Sequence, residues 1–229
     1  SDQWASIGHS QGGHAVLGAA QYASRAQLNY KGTVAIAPAS NLASILTIGE
    51  QQASTLPINY QIQMLAQLDT YTALIVAGMQ GHNKSVTYNE VFKNDTVILA
   101  PIAEAECSST VGVQLGTAMS IYAAGIGQGT LTGYGRLQSG FMSIPVIDTF
   151  LKKDSQPGLA PLNKKVFIYQ GEADTTVPKA ATDLLIASMK ANGTSASNIQ
   201  YTTSAAWDHG TVYTQNYTSF VDNIDSLFQ

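Results

Sequence analysis

Charge, cysteine and long apolar runs are what this chain has little of. Only 11% of its 229 residues are charged, a single cysteine, Cys107, is present, and no window reaches the ~18 uninterrupted apolar residues that a membrane-spanning helix needs. One cysteine excludes an internal disulfide framework and any cysteine-based metal cluster. Cys107 therefore reads as a small buried residue, with a free thiol or a bridge to chain outside this sequence as the remaining readings. Lys+Arg 11 against Asp+Glu 15 leaves a formal net charge of -4, and the lack of a basic surplus argues against nucleic acid as a partner. No basic segment followed by an apolar one opens the sequence, so a secretion signal is expected to have been removed if there was one. His and carboxylate spacings suggest no metal site, and no cofactor is expected.

What is present is a composition 45% hydrophobic, enough for one large domain or two small ones with a sizeable core. Ser, Thr, Gln and Asn are abundant. Asn83-Lys84-Ser85, Asn94-Asp95-Thr96, Asn192-Gly193-Thr194 and Asn216-Tyr217-Thr218 match the N-glycosylation sequon, and together these features lean toward a secreted, extracellular protein.

The hydrophobic patterning alternates between strand and helix at both ends of the chain. Residues 3–8 read as a short buried strand, followed by a helix over 12–25 with Val16, Leu17, Ala20 and Ala23 on one face, and by a second buried strand at 33–37 that Pro38 stops. From 41 to 162 the apolar residues recur at helical spacing, as in Ile62, Leu65, Leu68, Leu74, Ile75 and Met79, then Val111, Leu115, Met119 and Tyr122. Gly125-Ile126-Gly127-Gln128-Gly129 looks superficially like a phosphate loop, but no strand leads into it, and it reads as a turn. Alternation resumes with a strand at 165–171, a helix at 179–191, a strand at 199–204 and one last amphipathic helix from 212 to 228, with Tyr213, Tyr217, Phe220, Val221, Ile224 and Leu227 as its buried stripe. The expected architecture is α/β, a parallel sheet with right-handed crossovers. Residues 1–40 and 163–229 would form the core, and 41–162 a mainly helical insertion.

Gly8-His9-Ser10-Gln11-Gly12 fits G-x-S-x-G, a turn so sharp that side chains at the glycine positions are expected to collide. Placed between a strand and a helix, it would present the Ser10 hydroxyl at the strand's C-terminal end and aim the Gln11 N–H at a developing oxyanion. A serine hydroxyl is a poor nucleophile at neutral pH unless a histidine takes its proton and an acid orients the histidine. Asp174 follows the 165–171 strand and His209 follows the 199–204 strand, so three strand ends can deliver serine, acid and base to one place. Glu172 and Asp208 are rivals for the acid, and His9 and His14 also lie near the elbow.

These motifs resemble the α/β-hydrolases, and most closely the secretory lipases of fungi and bacteria. Gly8-His9-Ser10-Gln11-Gly12-Gly13 is similar to the family's elbow, Gln170-Gly171-Glu172-Ala173-Asp174-Thr175-Thr176-Val177-Pro178 to its acid loop, and His209-Gly210 to its histidine loop. The resemblance implies an α/β-hydrolase fold whose helical insertion is a lid-bearing cap. It also implies a serine ester hydrolase, lipase or carboxylesterase, with Ser10, Asp174 and His209 as triad and Gln11 in the oxyanion hole. Its substrate would be a hydrophobic ester, with a lipid surface as a candidate interface. A serine peptidase of the same fold and a non-catalytic binding protein are the alternatives. The family has several strands before its elbow, and one of the loops there supplies the second oxyanion donor. Because those strands are absent here, the chain is expected to be a fragment whose partner is an N-terminal segment of the same protein.

Overall fold

A computed structural model describes residues 2–229 and divides them into two compact units, one made of the chain up to Ile45 and from Leu151 onward, the other of Leu46–Phe150. The first unit opens with β1 (Gln3–His9), α1 (Gln11–Gln21) and β2 (Asn29–Ile36). The helix α2 (Leu42–Ala53) runs across the division. The second unit holds α3 (Ile58–His82), α4 (Tyr88–Val91), α5 (Asn94–Leu99), α6 (Ser108–Ala124) and α7 (Pro145–Thr149). The chain then completes the first unit with β3 (Lys165–Gly171), α8 (Lys179–Ala191), β4 (Ile199–Ser204), α9 (Thr211–Thr214) and α10 (Tyr217–Ser226).

All four strands are parallel, in the spatial order β1-β2-β3-β4. Side chains alternate across the two inner strands as the pleat requires. Ala35, Val166 and Ile168 join Leu17 of α1 and Leu185 and Met189 of α8 on one face. Val34, Ile36, Phe167 and Tyr169 join Val212 of α9 and Phe220 of α10 on the other. Both faces are thus covered, which is why β2 and β3 read as continuous apolar runs. The expected strands at 165–171 and 199–204 and the helix at 179–191 have these bounds in the structure.

Four expectations are corrected. β1 is an edge strand and not a buried one, and Ile7 is 47% exposed. The helix expected over 12–25 ends at Gln21 and gives way to a 3-10 turn at Ala23–Ala26. Cys107 is exposed, because it sits in extended backbone at the N-cap of α6 and not within a packed face. The helix expected over 212–228 is broken at Asn216, whose backbone leaves helical values and whose buried amide donates to the carbonyl of Val212. The break rotates the stripe out of register, so Phe220 and Leu227 are buried while Tyr217 and Val221 are more than half exposed.

In the second unit α3 packs along α6, and Ile62, Leu65, Leu68 and Met79 of the one and Val111, Leu115 and Met119 of the other are buried. Asp69 of α3 belongs to a partly buried ion-pair cluster that the apolar periodicity does not signal. Asp69 of α3, with no exposed side-chain surface, takes two hydrogen bonds from the guanidinium of Arg136, which also grips Glu50 at 2.7 and 3.0 Å. Burial pushes Asp69 up to about 6 against the pull of Arg136.

Removing one partner of such a pair leaves an uncompensated buried charge. Arg136→Leu is expected to destabilise the protein by about 3–5 kcal/mol, read as a Tm lower by about 10 °C. Without Arg136, Asp69 titrates still further above its unfolded value, so the folded state takes up a proton on acidification. The Tm deficit should therefore narrow between about pH 7 and about pH 5. A deficit that is absent, or that widens over that range, would contradict the assignment.

Candidate active site

The elbow depends on three close approaches. A Cβ on Gly8 would stand 2.2 Å from the carbonyl oxygen of Gly12, and one on Gly13 would stand 2.9 Å from the carbonyl oxygen of Ile36 and from Pro38. Gly12 differs from the sequence expectation, because a Cβ there meets nothing within 4 Å. It is the Gly12 carbonyl, not space for its own side chain, that the turn needs. Between them Ser10 adopts φ 59 and ψ -117, a conformation that side-chain-bearing residues rarely hold unless their surroundings enforce it. Three backbone hydrogen bonds do so: the Ser10 N–H donates to Ile36 O, and the Ser10 carbonyl accepts from the N–H groups of His14 and Ala39.

Around this serine the structure brings the expected residues together. Ser10 Oγ lies 3.0 Å from Nε2 of His209, and Nδ1 of the same ring lies 2.7 Å from Oδ2 of Asp174. The Asp174 side chain is fully buried, and the His209 ring keeps about a quarter of its surface exposed. Oδ1 of Asp174 accepts the backbone N–H groups of Thr176 and Val177 at 2.9 and 2.8 Å, so the acid loop closes on its own carboxylate. With the carboxylate accepting at Nδ1, the neutral imidazole carries its proton there and leaves the Nε2 lone pair toward Ser10.

The rivals have other partners. Glu172 accepts from the Thr203 hydroxyl, and Asp208 caps α9 by accepting from the N–H groups of Gly210 and Thr211. Those bonds from Thr211 hold the Asp208 carboxyl below its ordinary value. Gln11 is the first residue of α1, so its N–H is among those a helix leaves without an intrahelical partner. His14 is lowered by burial and bonds toward the Ser155 backbone.

Three contributions are not visible in the motif. Nε2 of His9 donates to the carbonyl of His209 at 2.8 Å, and its ring lies 4.7 Å from that of His209 and 5.2 Å from that of Tyr213. Burial, and then the charge that His209 carries when protonated, keep His9 below its ordinary value. Gly171 lets the histidine loop approach, since a Cβ there would fall 2.2 Å from the carbonyl oxygen of Trp207. Gln170, fully buried, reaches from β3 into the acid loop. Only the glycine had a sequence signal, through its place at a strand end.

No family model and no curated protein sequence matches the chain. Among solved structures it is similar to a Legionella pneumophila protein described as a candidate hydrolase, with a TM-score of 0.68 and 13% identity over 99% of this chain and 57% of that one. It is also similar to the rice cell wall degrading esterase LipA from Xanthomonas oryzae, at 0.61 and 14% over 99% and 57%. Candida antarctica lipase A in its closed state matches at 0.55 and 14%, over 99% and 49%. These likenesses show the fold, an α/β-hydrolase-like parallel sheet. The chain spans about half the length of the structures it matches.

The glycine geometry separates two positions that the motif treats alike. Gly8→Ala forces backbone against backbone and is expected to cost about 1–3 kcal/mol, whereas Gly12→Ala, on the open side of α1, should leave Tm unchanged or slightly raised. Equal effects of the two substitutions in thermal unfolding would refute this account of the turn.

Proposed function

We propose that the protein is a serine hydrolase of carboxylic esters that works through an acyl-serine intermediate. The observation that carries this reading is the continuous chain from Ser10 Oγ through the His209 ring to a fully buried Asp174, with the serine held at a strained turn. In the first half-reaction Ser10 Oγ attacks the ester carbonyl carbon and its proton passes to Nε2 of His209. The Gln11 N–H faces the resulting oxyanion. Collapse breaks the bond to the alcohol, which leaves with the proton from His209. Water then attacks the acyl carbon, gives its proton to His209, and the acid departs as that proton returns to Ser10 Oγ. Asp174 stabilises the imidazolium in both halves without taking the proton itself.

The esterase and lipase names of the structural neighbours support an ester as substrate. A hydrophobic acyl group, a lipid surface, and secretion belong to the same proposal and rest on the apolar helical insertion, the low charge and the sequons. A second oxyanion donor would come from polypeptide beyond the chain described. Two features support that: the outer edge of β1 pairs with no strand among the described residues, and beside it runs an open groove of about 710 Å³, lined by Ile7, Ile36, Tyr213, Phe220, Val221 and Ile224.

A fluorophosphonate probe should label the full-length polypeptide at Ser10 alone, as read from intact mass and the labelled peptide. Ser10→Ala should lower hydrolysis of p-nitrophenyl esters at least about 1000-fold with Tm unchanged. Ester hydrolysis near the parent level in Ser10→Ala, or labelling at another residue, would end the proposal.

A further inference from the structure

We propose that Gln170 is a positioning residue for Asp174 and that Thr182 anchors the far end of its amide; this rests on the ester-hydrolase reading above. Gln170 stands one residue before the end of β3 and has no exposed surface. A buried primary amide is costly unless both its ends are hydrogen-bonded, and here both are. Oε1 accepts from Oγ1 of Thr182 at 2.7 Å. Nε2 lies 2.9 Å from the carbonyl oxygen of Val177, 3.0 Å from that of Gly171 and 3.3 Å from Oδ2 of Asp174. Its two hydrogens are thus shared among three acceptors. Two of these are the ends of the acid loop, and the third is the carboxylate oxygen that receives Nδ1–H of His209.

The two ends of a glutamine amide have nearly the same shape, so packing does not choose between them; hydrogen bonding does. Turned over, the amide would set Oε1 against two carbonyls and a carboxylate with no donor among them. The three acceptors thus fix the direction of the amide, and the Thr182 hydroxyl anchors its other end by donating to the Oε1 that faces it. Helical threonines commonly return their hydroxyl to the carbonyl four residues back, as Thr70 does to Ala66 and Thr72 to Leu68 in α3. Thr182, fully buried in α8, donates across to β3 instead. The result is an unbroken path from Thr182 through Gln170, Asp174 and His209 to Ser10.

Thr182→Val removes the hydroxyl and keeps the shape, while Thr182→Ser keeps the hydroxyl. In the full-length protein, Thr182→Val is expected to lower kcat about ten-fold with KM within two-fold of the parent. It should also broaden the low-field proton resonance of His209 Nδ1–H, and Thr182→Ser should restore both. Thr182→Ala repeats the test if valine is not accommodated. Leu185→Ala, in the apolar cluster beneath the same helix, is the control for loss of packing alone and should lower Tm without moving kcat or the resonance. If Thr182→Val and Thr182→Ala leave the resonance as in the parent, or if Leu185→Ala broadens it equally, the positioning role is overturned. The resonance does not depend on turnover. A parent protein that takes no fluorophosphonate label but loses the resonance in Thr182→Val refutes the ester reading and upholds this one.

Discussion

The contact on which the site depends is the approach of Gly8 to the Gly12 carbonyl. With no Cβ in the way, strand passes into helix over a single residue, and Ser10 is left at φ 59 with its hydroxyl standing clear of both elements. Nothing about serine favours that conformation. It persists because its backbone is tied to β2 and to the segment after it, through Ile36 and Ala39, so the neighbouring strand of the sheet offsets the strain. A second close approach, that of the Trp207 carbonyl over Gly171, does the same for the other half of the site by laying the histidine loop on the end of β3. Two glycines without φ freedom as their purpose thus define where the His209 ring and the Ser10 hydroxyl meet.

Around that geometry the polar groups are arranged so that each has one orientation. Asp174 is gripped at Oδ1 by its own loop and at Oδ2 by His209 and Gln170. His209 is held at its ring by Asp174 and at its carbonyl by His9. The holding groups come from β1, β3, α8 and the loops at the strand ends.

The parts of the structure legible in the sequence are those set by local rules. β3, β4 and α8 have the bounds that their patterning predicts, and Ser10, Asp174 and His209 are found from strand ends and loop composition. What escaped notice depends on contacts between distant segments. The roles of Gln170, Thr182 and His9 have no periodicity, and the Asp69–Arg136–Glu50 cluster joins residues that no spacing connects. The break at Asn216 hides inside an otherwise sound amphipathic pattern, since one buried side-chain bond to Val212 outweighs the helical preference of its neighbours. β1 reads as buried because edge and centre of a parallel sheet have similar apolar content. Only the strand order tells them apart.

The order of the strands also has a temporal side. β1 and β2 pair across a short helix, but β2 meets β3 only after the whole of Leu46–Phe150 has been made, with Gly32 then facing Lys165. Pairings so far apart in sequence form slowly. During synthesis the elbow emerges long before the histidine, so through all the intervening growth of the chain Ser10 has no imidazole beside it. Its hydroxyl gains that hydrogen-bond partner only when β4 docks and carries His209 into place.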